Sequence, residues 1–215
     1  MPRTLFIKSL GELNTRVVGM AALAEEALLL AMRALKERNA VIAQAVMDGD
    51  DVIDNMEETI EHECIRLIAL QQPIAQDLRL VTALLKMITD IERIADQAAD
   101  ICEVMIADLT DENLVIPHMI YDMGEFAALM VHDAVHAYVM QDTELSKRVI
   151  GSDERMDRWF EETTTQLCAL IKSGMYPRQV LHLAYVAKYL ERVADHATNL
   201  AEWALYRISG DKSPR

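Results

Sequence analysis

Two stretches decide how this chain is read: ITDIERIADQAADI, residues 88–101, and AKYLERVADHATNL, residues 187–200. Glu92, Arg93, Asp96 and Asp100 of the first recur as Glu191, Arg192, Asp195 and Asn199 of the second, 99 residues later, and Arg79 recurs as Arg178 in the same register. A second series repeats in the same order. Asp50, Asp54 and Glu58 recur as Asp153, Asp157 and Glu161, at an offset of 103. Two elements repeated in one order at nearly one offset mark an internal duplication.

The apolar residues between these acids recur at threes and fours, the period of a helix, and no stretch alternates over the length of a strand. Breakers cut the pattern into six long helices. The first spans roughly Leu5 to Arg38 with Asn39 as stop or cap, and the second ends at QQP, where Pro73 prevents continuation. The third runs from about Ala75 to Leu109 and is followed by the polar linker TDENLVIPH. The fourth runs from about His118 to Gln141. The fifth is capped by Asp142 or Thr143 and ends at KSG; the sixth begins near Pro177 and ends in the polar tail SGDKSPR. The expected fold is all-α: two tandem, pseudo-symmetric three-helix bundles, residues 1–109 and 110–215.

Composition narrows the function. Of 215 residues, seven are Gly and five Pro, which suits helix throughout. A net charge of −14 disfavours nucleic acid and anionic lipid as partners and favours cations or basic protein surfaces. Cys64, Cys102 and Cys168 form no CxxC pair and read as reduced core residues of a cytosolic protein. MPRTLFIKSLGEL lacks the apolar run of a signal peptide, and Glu25 and Glu26 interrupt the richest apolar stretch, so no membrane insertion is expected. No nucleophile motif or glycine-rich phosphate loop is present.

Acids at i, i+4 and i+8 drift about 40° per step and share one stripe of a helix, where each like-charge pair costs about 0.2–0.5 kcal/mol. Four such ladders need compensation. One source is arginine: Arg93 and Arg192 adjoin the ladders, with Arg79 and Arg178 upstream. The other is a metal ion held between facing acidic stripes. Neither ECIR nor ERIA offers the Glu-x-x-His of ferritin-like di-iron sites. His132 and His136 stand at i, i+4 without a zinc motif, so a satisfied or solvated pair is favoured over a ligand pair. His62 continues a ladder as an edge-ligand candidate, with a water-facing position favoured over that role; His196 falls off its stripe. Trp203 and Tyr206 serve packing or a partner surface, which the sequence leaves open.

The motifs QP, DLR and ERIAD within residues 64–101, with VMDGDDVIDNMEETIEHEC upstream, resemble the PhoU family of phosphate-signalling proteins. The second half keeps ERVAD, reduces DLR to Arg178 and shifts QP to YP. The resemblance covers about residues 5–208 and implies two similar three-helix bundles. It also implies that the family's E(D)xxxD motif, which binds metal clusters in some members, falls here on Asp50 and Asp54, Glu92 and Asp96, Asp153 and Asp157, and Glu191 and Asp195. Glu58, Asp100, Glu161 and Asn199 are the further ligand candidates, Asn199 being a weaker donor than the Asp100 it replaces. The metal is open among Fe, Zn, Mn, Mg and Ni. The implied role is a cytoplasmic, homodimeric, non-enzymatic negative regulator of phosphate uptake and the starvation response, linking a phosphate ABC transporter ATPase to a sensor histidine kinase. A metal-dependent phosphohydrolase and a metal store are the competing readings.

Overall fold

The computed structural model describes residues 3–74, 76–111, 113–172 and 177–210. Six helices follow in order: α1 Arg3–Glu37, α2 Ala40–Gln71, α3 Gln76–Asp108, α4 His118–Met140, α5 Thr143–Lys172 and α6 Pro177–Ser209. The described residues contain no strand. Several expected boundaries, the start at Ala75, the stop at Ser173–Gly174 and the tail 211–215, lie outside the described residues.

The helix ends follow the local sequence. Arg38 turns left-handed at φ 51° to end α1, and the Asn39 side chain then accepts hydrogen bonds from the Val41 and Ile42 amides. The same turn recurs 103 residues on. Gln141 is left-handed at φ 54°, and Asp142 Oδ1 accepts from the Glu144 and Leu145 amides, so Asp142 is the cap of α5. These amides hold the Asp142 carboxyl below its ordinary pKa. At the end of α2, Gln72 takes φ 45° and Pro73 follows.

Helices α1–α3 pack on one another, as do α5 with α4 and α6, and α4 with α6. The two bundles join where α3 lies along α6 and α1 along α4, and one apolar core runs through both. The α3–α6 seam is antiparallel: Asp90 meets His196 and Asn199, while Asp108 meets His182 and Arg178. On the α1–α4 side, Tyr138 donates to Asn14 Oδ1 at 2.5 Å. Gly124 permits the close approach there, because a Cβ on it would run into Met32 Cε.

Burial extends the duplication to the first helix of each half. Val17, Met20, Ala24, Leu28, Ala31 and Leu35 are buried in α1; Ile120, Met123, Ala127, Val131, Ala134 and Tyr138, each 103 residues on, are buried in α4. One expectation fails. Cys64 and Cys102 are buried, with thiols pushed up to about 12 by burial, but Cys168 is exposed. The core-facing residues of this stretch of α5 are Thr163 and Leu167, and Cys168 stands about 100° round from Leu167.

Candidate functional site

In the first bundle, α2 and α3 bring their acids face to face. Asp50, Asp54 and Asp96 each offer a carboxylate oxygen, and these atoms lie within 4.8 Å of one another. Glu92 stands one turn before Asp96. Arg93, on the same helix, spans the pair, with Nη1 donating to Asp96 Oδ2 at 2.8 Å and Nε 3.3 Å from Glu92 Oε2. The arginine compensation expected from sequence is therefore in place here, and it covers only one side of the cluster.

The electrostatics carry the strain of this arrangement. Burial, then the charges of Asp54 and Asp96, push the Asp50 carboxyl up to about 6. Burial and Asp96 push Glu92 up to about 7, against the pull of Arg93. Asp54 is raised by burial and by Asp96; Asp100 is raised by burial and Asp96, with Arg192 opposing. The donor set consists of carboxylate oxygens that burial first, and then one another's charge, make harder to ionise, and a hard cation would offset both effects. The residues fit a metal ion.

The second bundle puts the same acids in a different setting. Burial raises Asp195, and the charges of Glu191 and Asp153 raise it further, so these three carboxylates act on one another. Lys188 forms an ion pair with Glu191 and opposes the shift at Asp195. Asp157 is exposed. Among the described residues, the second bundle has no three ligand atoms gathered as tightly as those of Asp50, Asp54 and Asp96.

The outer rungs diverge from the stripes. Glu58 and Glu161 are exposed. Glu57 is the acid turned toward α3: its Oε1 accepts from Thr89 at 3.0 Å, and its charge acts on Glu92. Seven residues from Asp50 bring the helix back to within about 20°, whereas eight overshoot by about 80°, so a heptad step locates the inward acid and two steps of four do not. Asn199 donates to Asp90 Oδ1 at 3.0 Å across the seam, and His196 lies 2.9 Å from the same oxygen. Arg178 and His182 lie 2.8 Å and 2.6 Å from Asp108 Oδ2. Arg79 packs at the end of α6, its Nη1 2.6 Å from where a Cβ on Gly210 would sit. Arg79 and Arg178 thus serve the seam. Each lies thirteen residues before its ladder, roughly 20 Å along the helix.

Sequence reasoning assigned no role to Asp90, Asp108 or His182. The signal lay in the antiparallel seam, which periodicity alone does not reveal. His132 faces Glu25 at 3.1 Å and stacks on His136 at 6.3 Å, in keeping with a satisfied pair, and His62 is exposed.

A family model described as the PhoU domain matches this chain twice, over residues 17–105 and 120–204. The chain belongs to the PhoU family. The two PhoU domains are offset by 103 residues where they begin and by 99 where they end, as the two series of acids are. A phosphate-specific transport system accessory protein PhoU homolog of Aquifex aeolicus is 39% identical over 208 residues, covering 95% of this chain and 93% of the relative. The homolog of Clostridium acetobutylicum is 32% identical over 98% of this chain and 97% of its own length. Among solved structures, PhoU from Pseudomonas aeruginosa superposes with a TM-score of 0.92 at 30% identity, covering 96% of this chain and all of that one. The phosphate transport system regulatory protein PhoU from Streptococcus pneumoniae gives 0.91 at 25% identity over 98% of this chain. Six helices in two PhoU domains agree with the fold expected from sequence.

Proposed function

We propose that this chain is a regulatory accessory protein of a phosphate transport system. In this reading it works in the cytoplasm as a homodimer, coupling the transporter's ATPase to a sensor histidine kinase, restraining the phosphate-starvation response and turning over no substrate. The observation that carries the reading is the relationship to phosphate-specific transport system accessory proteins over nearly the whole chain. Two physical features support it. No helix among the described residues is long and apolar enough to cross a membrane. The charge of −14 disfavours direct contact with DNA, so an effect on transcription must pass through another protein.

The acidic faces have a part in the same proposal. Asp50, Asp54 and Asp96, with Glu92 beside them, would hold a metal ion in the first bundle; Asp153, Asp157, Glu191 and Asp195 are the counterparts in the second. Oxygen donors suit Mg, Mn or ferric iron better than Zn or Ni, which take nitrogen or sulfur readily. When bound there, the ion would supply positive charge between α2 and α3. The chain's own contribution is to fix the two helices at that spacing and to present a surface whose affinity for a partner differs between the transporter's states.

Deleting the gene tests the regulatory reading. Phosphate-responsive transcription is expected to switch on at high phosphate, and the purified protein is expected to co-purify with the ATPase or the kinase's cytoplasmic part. Unchanged regulation together with no binding to either would overturn it. Turnover of a phosphate ester with Mn²⁺ or Mg²⁺, lost on Asp96→Ala, would put a phosphohydrolase in its place; many ions per chain would put a metal store there.

A further inference from the structure

A groove of about 220 Å³ opens between α1 and α2, walled by Leu23, Ala27, Leu30, Val46, Val52 and Ile53. Glu26 and Asp50 stand on its rim. Gly49 lines it as well, and no side chain lies within 4 Å of where its Cβ would be. The walls reach solvent: Val52 is 54% exposed and Leu23 39%.

The duplication shows what is missing there. At the offset of 103, Leu23 corresponds to Phe126, Val52 to Arg155 and Met56 to Trp159. In the second bundle Phe126 and Trp159 meet edge to face with ring centroids 5.2 Å apart. The Arg155 guanidinium carbon lies 4.4 Å from one ring centre and 4.2 Å from the other. The chain fills that place itself, with two rings and a cation. In the first bundle the same backbone carries Leu and Val, and the place stays open beside Glu26 and Asp50.

We infer that the α1–α2 groove receives a basic amphipathic helix of a partner protein, its apolar side chains on Leu23, Val52 and Ile53 and a Lys or Arg reaching Glu26. The groove takes one or two side chains, the scale of a helix anchor and below that of a drug-sized ligand. The rim is acidic and the chain carries −14, so a basic partner is drawn to it. A second copy, itself at −14, would set acid against this acidic rim, so the homodimer proposed above pairs through another face. The inference gives the regulatory reading a docking surface and rests on it for the partner's role, but the test does not depend on it.

The test uses the full chain, ¹⁵N-labelled, and a synthetic Leu/Lys amphipathic peptide of about 18 residues, five turns of helix. A Leu/Glu peptide of the same pattern is the control. Leu/Lys is expected to shift the amides of residues 23–30 and 45–53. The substitutions Leu23→Phe, Val52→Arg and Met56→Trp transplant the second bundle's filling and are expected to weaken binding by about tenfold or more, a loss typical of a removed interface anchor. Val52→Arg alone, at an exposed position, gives the same direction if the triple variant does not fold. Shifts spread over every acidic face, equal binding of Leu/Glu, unchanged affinity of Val52→Arg, or groove amides protected by self-association would each overturn the inference. Normal phosphate regulation in the deletion strain, with the peptide seated, would remove the regulatory reading and leave the groove. Derepression with a peptide that ignores the groove would remove the groove alone.

Discussion

In the first bundle, Asp50, Asp54 and Asp96 converge within 4.8 Å and Arg93 neutralises one edge. In the second, Lys188 pairs with Glu191, and Arg155 sits over two rings two residues after Asp153. The counterparts of Lys188, Arg155 and Arg158 are Thr89, Val52 and Asn55, none of them charged. The backbone plan is shared; the placement of cations is not. One duplicated frame therefore offers an acidic basin with an apolar groove beside it, and a face where Lys188 pairs with Glu191 and two rings with Arg155 fill the groove's counterpart. Identical carboxylate spacing does not make identical sites, because neighbours off the motif set the local potential.

The largest effect that can break this comparison is on metal content. After loading with Mn²⁺ and desalting, Asp50→Ala/Asp96→Ala is expected to lower affinity, read by elemental analysis, by well over tenfold, since loss of supporting partners alone costs about 10–100-fold. Asp153→Ala/Asp195→Ala should leave most of the metal bound. Equal losses from both would erase the asymmetry.

A single transplanted cation sharpens the same point. Thr89→Lys places in the first bundle what Lys188 supplies in the second. It is expected to weaken Mn²⁺ binding several-fold, a coupling of about 1 kcal/mol from one partly exposed charge. Thr89 is exposed, so the circular dichroism spectrum should not change.

Acidity gives a smaller and differently shaped signal. Asp50 and Glu92 are raised to about 6 and about 7 in the folded chain, so the fold binds their protons more tightly than the unfolded chain does. The relief this gives is complete below about pH 4. It is lost as pH rises through 6 to 7, where the ionised acids repel. In chelator-treated protein, Asp50→Asn is expected to raise Tm at pH 8 by roughly 1–4 °C and to change little at pH 4.5, where the native residue is already protonated. The counterpart Asp153→Asn should give the smaller rise at pH 8.

The smallest effect belongs to the second bundle's filled face. Arg155→Ala removes a guanidinium from Phe126 and Trp159, and a loss of about 0.5–1 kcal/mol is expected in urea unfolding. Val52→Ala, its counterpart over the open groove, should cost less.

Much of this was legible in the sequence. Helix boundaries followed from Asn39, Pro73, the 109–117 linker and Asp142, because caps and breakers act locally. That Asp50, Asp54 and Asp96 come together was expected from the resemblance, which places one acidic motif on both helices. What escaped depends on the third dimension. Glu57 turns inward by a heptad step, Asp90 and Asp108 find partners across an antiparallel seam, and Cys168 lies one position off the buried line of α5. The groove escaped because the equivalence of Leu23 with Phe126 needs the burial pattern of α1 and α4, whose sequences share few identities beyond alanine.

The α3–α6 seam has an evolutionary consequence. Two equivalent helices packed antiparallel about a pseudo-two-fold axis are the geometry of a homodimer of single bundles. In such an ancestor with the first half's sequence, Asp90 would oppose Gln97 and Asp100 of its twin. In the fused chain it opposes His196 and Asn199 instead, while Tyr189 stands in the reciprocal place, near enough to feel the charge of Asp100. Joining the halves in one polypeptide released each side of the seam from matching itself. The price of that freedom is that an excised first half, pairing through α3, would set acid against acid where the fused chain has a hydrogen bond.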